Sequence, residues 1–307
     1  MQEIHFDKIP YFGEGSILTL GNFDGIHLGH ISLLKKLKEV QELKKIPSVV
    51  VTYFPNPSLV LGKNKNLKPI YNEKSKLEIL KSFSPDYILT IPFTEEFSKN
   101  TASYFLEEIL LKKVKAKHII IGFNHFFGKG REGSFEFLKQ KSSELGFTVE
   151  KIEPVFFEGE QVSSSYIRNL ISEGDVEKAN SFLTREFHLT GKVVKGFQRG
   201  RTIGFPTANL EIGENLLIPK IGVYAVNCIY QEKKYGGMLN IGFNPTFSSE
   251  KLNFEVNLFD FDKEIYGEEL KVEFLKYIRA EKKFNSIDEL KKQLENDKLE
   301  AKKILSS

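Results

Sequence analysis

Ser16-Ile17-Leu18-Thr19-Leu20 runs without a break into Gly21-Asn22-Phe23-Asp24-Gly25-Ile26-His27-Leu28-Gly29-His30, after which Ile31 to Leu43 carries Leu33, Leu34, Leu37, Val40 and Leu43 at helical spacing. A short buried strand, a glycine-punctuated turn and an amphipathic helix open a βαβ unit. The pattern repeats outward: Ser48 to Tyr53 reads as a strand, Lys74 to Phe83 as a helix, Tyr87 to Ile91 as a strand, Ala102 to Val114 as a helix and His118 to Gly122 as a strand. Such alternation predicts a doubly wound parallel α/β sheet. Ligands of these sheets bind at the carboxyl ends of strands, where free helix N–H groups favour phosphate. Gly21, Phe23, Asp24 and Gly25 are therefore candidate phosphate-binding residues, and His27 and His30 can lie on one face and donate hydrogen bonds to phosphate oxygens. A His-x-x-His pair also reads as capping histidines or as two metal ligands, although no third ligand is obviously spaced for a metal.

The character changes near Arg185. Gly191 to Lys195, Gly222 to Tyr230, Tyr235 to Ile241, Phe254 to Phe259 and Leu270 to Ile278 are short alternating segments separated by glycine and proline, as expected of a small antiparallel barrel. The capping box Ser286-Ile287-Asp288-Glu289 announces a closing helix whose apolar face reads as Ile287, Leu290 and Leu294. The chain of 307 residues thus divides into domains 1–183 and 184–307. Its 44 Lys+Arg against 41 Asp+Glu leave a formal charge of +3, too small for a protein that coats nucleic acid. Cys228 is the one cysteine, which excludes an intrachain disulfide framework. No apolar run approaches the ~20 residues of a membrane helix, and Met1 to Asp7 has no leader pattern, so a cytoplasmic protein is expected.

Three further segments carry chemistry. Val162 to Arg168 (VSSSYIR) is a polar loop entering a helix, with Arg168 about one turn in and suited to clamp phosphate oxygens; a serine-capped helix bearing a solvated arginine is the plainer alternative. Gly122 to Gly133 (GFNHFFGKGREG) mixes aromatics and glycines, and reads either as a surface loop or as a cradle for a flat aromatic ligand. Gly196 to Leu210 (GFQRGRTIGFPTANL) is neither a Walker A loop nor a protein-kinase glycine loop, and reads either as a phosphate flap built on Gly196, Arg201 and Gly204 or as a hairpin with basic decoration. Thr207 and Asn209 offer hard oxygen donors suited to Mg²⁺. Glu255, in a strand with apolar neighbours, reads either as the base for a transfer to an alcohol or as an ordinary strand glutamate facing solvent.

Taken together and in order, GNFDGIHLGH, TYFPNP (52–57), IPFTEEFS (91–98), IIGFNHFFGKGREG, VSSSYIRNLISEGDV, GKVVKGFQRGRTIGFPTANL, GVYAV (222–226) and NIGFNPTF (240–247) resemble the bacterial bifunctional riboflavin kinase/FMN adenylyltransferase (FAD synthetase) family. The resemblance implies an amino-terminal Rossmann-like nucleotidyltransferase domain and a carboxy-terminal flavokinase β-barrel. The barrel would phosphorylate riboflavin with MgATP to give FMN and ADP, with Glu255 as base and Thr207 and Asn209 at nucleotide and Mg²⁺. The first domain would then join AMP from a second ATP to FMN, giving FAD and pyrophosphate. In it, His27 and His30 stabilise the transition state, and Ser164 and Arg168 hold ATP. Asn124, Phe127 and Arg279 become candidate flavin contacts. The chain departs from many relatives at His125-Phe126-Phe127-Gly128 and at Asn56. Competing readings are a nucleotidyltransferase for another phosphorylated acceptor with a non-catalytic flavin-binding barrel, and a barrel that binds single-stranded nucleic acid. The expected partners are small molecules, with neither nucleic acid nor membrane, and the oligomeric state is open.

Overall fold

Leu18, Leu20, Val49, Val51, Ile119 and Ile121 point to one side of the amino-terminal sheet, and Ile17, Val50, Ile88 and Ile120 to the other. Strands apolar on both faces need helices on both faces. The computed structural model, which describes residues 1–62, 67–196, 200, 203–243 and 252–306, has six parallel strands in the order β1-β4-β3-β2-β5-β6. They are β1 (Gln2–His5), β2 (Ser16–Leu20), β3 (Ser48–Phe54), β4 (Tyr87–Pro92), β5 (Ala116–Gly122) and β6 (Thr148–Ile152). The sequence reading anticipated the four central strands and missed β1 and β6, edge strands whose exposed polar residues break the apolar pattern.

Helices α1 (Leu28–Lys44) and α3 (Glu73–Ser82) cover one face through Leu33, Leu34, Leu37 and Leu80. The short α2 (Pro57–Val60) begins at Asn56, whose Oδ1 accepts from Ser58 N at 3.0 Å; this capping role accounts for asparagine at that position. On the other face lie α4 (Ala102–Tyr104), its continuation Phe105–Lys113 and α5 (Phe135–Leu145). The helix expected over Ala102 to Val114 is thus one α turn followed by a π-helical stretch. A two-stranded hairpin, β7 (Phe156–Phe157) with β8 (Glu160–Gln161), lies near the end of this unit.

The chain divides into Met1–Ser164 and Ser165–Ser307, earlier than the 183/184 boundary read from the sequence. The reason is that α6 (Ser164–Glu173) and α7 (Val176–Leu183) lead into contacts with the second unit's barrel. Asn180 Nδ2 donates to the Phe274 carbonyl at 2.8 Å, Asn180 Oδ1 accepts from Phe187 N at 2.7 Å, and the left-handed Gly174 lies against Lys220 and Tyr277.

The barrel is closed and antiparallel, in the order β10-β13-β12-β11-β14-β9. Its strands are β9 (His188–Val194), β10 (Ala208–Ile212), β11 (Gly222–Tyr230), β12 (Lys233–Phe243), β13 (Leu252–Leu258) and β14 (Glu269–Arg279). An aromatic cluster anchors it: Tyr224 meets Phe274 edge-on at 5.2 Å, and Phe187 lies 5.5 Å from Phe274. The sequence reading left β10 inside a flap, yet β10 pairs with both β9 and β13 and so closes the barrel.

Helix α8 (Ile287–Ser306) packs on the outside of the barrel through Leu294, Ala301, Ile304 and Leu305. Gly236 permits the approach, since a Cβ there would come within 2.6 Å of Leu305. Ser286 Oγ caps Glu289 N at 3.2 Å as the capping box predicts, but Glu289 Oε2 reaches Asn285 N. Ile287, expected on the apolar face, is 63% exposed. It belongs to the first turn, which precedes the part of the helix that meets the barrel.

Candidate active sites

Strand order reverses between β2 and β5, and the segments following both strands contain the motifs singled out in the sequence. This is the switch point at which open α/β sheets bind ligands. The β2–α1 turn takes a costly path: Phe23, Gly25 and Ile26 have φ of 49°, 84° and 46°. Glycine adopts such angles freely, whereas Phe23 and Ile26 each pay about 1 kcal/mol or more. Complete burial of both side chains holds them there. Gly21 N donates to the Val51 carbonyl at 3.1 Å, and Asp24 Oδ1 accepts from Ile70 N at 2.9 Å. Asp24, read from the sequence as a phosphate residue, therefore serves through its carboxylate to fasten the turn.

The turn delivers His27, at the N-cap of α1, and His30 one turn later. Their rings stack at 3.9 Å with 17° between planes, and Phe23 backs His30 at 5.2 Å. Gly29 makes room, because a Cβ there would lie 3.3 Å from the His27 ring. Ser164 Oγ donates to the Asp24 carbonyl at 2.8 Å and stands 3.3 Å from His27 Nε2, joining the sequence-distant serine to the histidine turn. With the serine proton on the carbonyl, its oxygen can accept from a protonated Nε2. Arg168 lies four residues along α6 and so shares the Ser164 face of that helix. Among the described residues no group of three or more His, Cys, Asp or Glu could hold a metal ion, which leaves the metal-ligand reading of His27 and His30 without a third ligand.

The Gly122–Gly133 segment is tied down. Phe127 and Gly133 bridge through both backbone groups, at 3.0 and 2.9 Å, and Lys129 N donates to the Asn100 carbonyl at 2.8 Å. Gly128, φ 73°, presses so closely on Ala102 that a Cβ would come within 2.6 Å of its N. Phe127, expected as a flavin contact, is packed in the core, 6% exposed and 5.4 Å from Phe105. The exposed rings are Phe123 and Phe126, with Arg131 4.4 Å over the latter. Asn124 is exposed beside them.

In the barrel, register does the assembly. Asn209 of β10 lies directly opposite Glu255 of β13, and Glu255 opposite Asn240 of β12. Directly paired antiparallel residues share a face, so the carboxylate sits between two amides. Asn253 Nδ2 donates to Glu255 Oε1 at 2.7 Å and orients it. Asn257, buried on the same strand, donates to the Pro206 carbonyl at 2.6 Å and anchors the segment before Thr207. A Cβ at Gly196 would collide with the Asn209 amide, and one at Gly200 would lie 3.4 Å from Thr207 Oγ1. Gly204, φ 85°, is exposed. Arg201 lies outside the described residues.

Arg279, expected to meet the flavin, is paired within the protein. Its Nε donates to Asp297 Oδ1 at 2.9 Å and its Nη2 to Oδ2 at 2.6 Å, while Nη1 reaches the Ala280 carbonyl at 2.9 Å. A bidentate pair with a carboxylate only 2% exposed fastens α8 to the barrel. Sequence reasoning also missed Asn253, Asp297 and Lys76; nothing in their spacing distinguishes them from surface polar residues.

A histidine turn at the switch point of a parallel sheet and a carboxylate flanked by amides on a closed barrel fit a two-domain, nucleotide-dependent transferase. A riboflavin kinase family model matches residues 183–305 and an FAD synthetase model residues 10–166. The bifunctional riboflavin kinase/FMN adenylyltransferase of Bacillus subtilis is 36% identical over 95% of this chain and 93% of its own length. The Listeria monocytogenes protein of the same description is 37% identical over 92% and 90%. A solved structure described as a macrolide-efflux protein from Streptococcus pneumoniae superposes with a TM-score of 0.89 at 34% identity, covering 98% of each chain. No helix among the described residues is long and apolar enough to cross a membrane. The chain belongs to the bifunctional riboflavin kinase/FMN adenylyltransferase family.

Proposed function

We propose that the chain carries out two successive ATP-dependent transfers, one in each unit. In the barrel, the terminal ribityl oxygen of riboflavin attacks the γ-phosphorus of ATP. The bond to the β,γ-bridging oxygen breaks, ADP leaves, and Glu255 takes the hydroxyl proton. The Asn253 amide presents the carboxylate to that proton, and the Asn209–Glu255 register pair is the observation that carries this assignment. Thr207 Oγ1 and the Asn209 amide oxygen are uncharged hard donors that would hold an Mg²⁺ ion, which when bound would neutralise phosphate charge.

In the first unit, a phosphate oxygen of FMN attacks the α-phosphorus of a second ATP, and pyrophosphate leaves as FAD forms. The nucleophile is already an anion, so no base is required. His27 and His30 donate hydrogen bonds to oxygens on which charge builds, Ser164 holds His27, and Arg168 counters phosphate charge. Asn124 and the exposed Phe123 and Phe126 offer a surface for the isoalloxazine ring. Both reactions are placed in the cytoplasm.

Purified protein supplied with riboflavin, ATP and Mg²⁺ should yield FMN and then FAD on chromatography. Absence of both products would sink the reading, while FMN without FAD would remove the first unit's half of it.

A further inference from the structure

Lys76 is buried, 8% exposed, on a helix whose other lysines are more accessible. Lysine is almost never buried without a specific partner. Here Nζ donates to Thr52 Oγ1 at 3.2 Å and to the Tyr53 carbonyl at 2.8 Å, at the carboxyl end of β3. Thr52 Oγ1 in turn reaches the Asn22 carbonyl at 3.4 Å, inside the turn that carries the histidines. Asp24 of that turn and Glu73 of α3 are the acidic groups whose charge acts on the ammonium. Tyr53 is buried and neutral, and Glu3 and His5 act on Glu73 from β1.

That turn needs external support, because two of its non-glycine residues sit at unfavourable positive φ. Building on the adenylyl-transfer reading above, we infer that Lys76 is a positioning residue for that reaction: its ammonium group, fixed by Thr52 and Tyr53 and acting on Asp24, holds the β2–α1 turn in the form that presents His27 and His30. Burial brings the Lys76 pKa down to about 8, against the opposing pull of Asp24 and then Glu73. The cation is therefore present below pH 8 and lost above it, well before an ordinary lysine would titrate.

The test uses the full chain, with riboflavin phosphorylation in the same molecule as the control for folding. Lys76→Met should lower kcat for FMN-to-FAD conversion about 10²-fold and leave phosphorylation unchanged. Lys76→Arg should restore much of the rate and lose the alkaline fall near pH 8 that the parent protein shows. Undiminished adenylyl transfer in Lys76→Met, or the same alkaline limb in the parent and Lys76→Arg, overturns the inference. NMR of carbon-13-labelled lysine separates this from the functional reading. A side chain titrating near pH 8, and lower in Asp24→Asn, supports the role of Lys76 even if the parent makes no FAD, a result that would overturn the functional reading alone. Titration at the ordinary lysine value overturns the role of Lys76 itself.

Discussion

The two sites are built by opposite means. In the first unit the side chains proposed to act on phosphate sit on and just after a turn whose backbone is unfavourable by itself and is held by outside ties to Val51, Ile70 and Ser164. In the barrel they sit within or beside regular strands, and hydrogen-bond register alone sets Glu255 between Asn209 and Asn240. The first site spends stability to expose donors at a helix start, whereas the second inherits its geometry from the sheet. Damage should therefore spread differently: through distant ties in the first, and through the occupied residue and its strand neighbours in the second.

The sharpest way to break this comparison is Glu255→Gln, which removes the proton acceptor while keeping shape. Phosphorylation should fall about 10²–10⁴-fold with FMN-to-FAD conversion intact, measured by product formation from each substrate separately. His30→Ala is the mirror experiment: FAD formation should drop about 10²–10³-fold while phosphorylation persists. If both folded variants lose both activities, the sites are not independent. Asp297→Ala strips the partner from Arg279 and should destabilise the barrel by about 3 kcal/mol, read as a lower denaturation midpoint. Gly196→Ala is the mildest, displacing the Asn209 amide and lowering phosphorylation about tenfold, with no effect on adenylyl transfer.

Much of the first site was legible because its residues are contiguous: strand, turn, His27 and His30 fall within one stretch that passes from a short apolar run to a helical period of 3.6. Ser164 could be nominated from its motif, but its contacts with Asp24 and His27 are tertiary facts. The barrel site was legible only as separate residues. Asn209 and Glu255 are far apart in sequence, and their opposition depends on β10, which glycine and proline disguised as a flap. Polar residues were the hardest to place. Arg279 paired with Asp297 because a helix that the pattern could not orient brought a carboxylate to it, and Lys76 looked like any lysine on an amphipathic helix. Among the aromatics, Phe126 and Phe127 are adjacent and equally apolar, and only packing against Phe105 buries one and leaves the other in solvent.

The closed barrel has a consequence for how this chain can change. In an open sheet an edge strand is paired on one side only, but here each strand is paired on both sides. Shifting β13 by one residue would turn Glu255 to the opposite face and put Asn209 across from a residue of the other parity. A single-residue insertion or deletion within β10, β12 or β13 would thus be lethal to phosphoryl transfer, while substitutions at the same positions are graded in effect. Variation in chain length is channelled away from these strands and from the β9–β10 segment that carries Thr207, into connections such as the β11–β12 turn that hold no site residue.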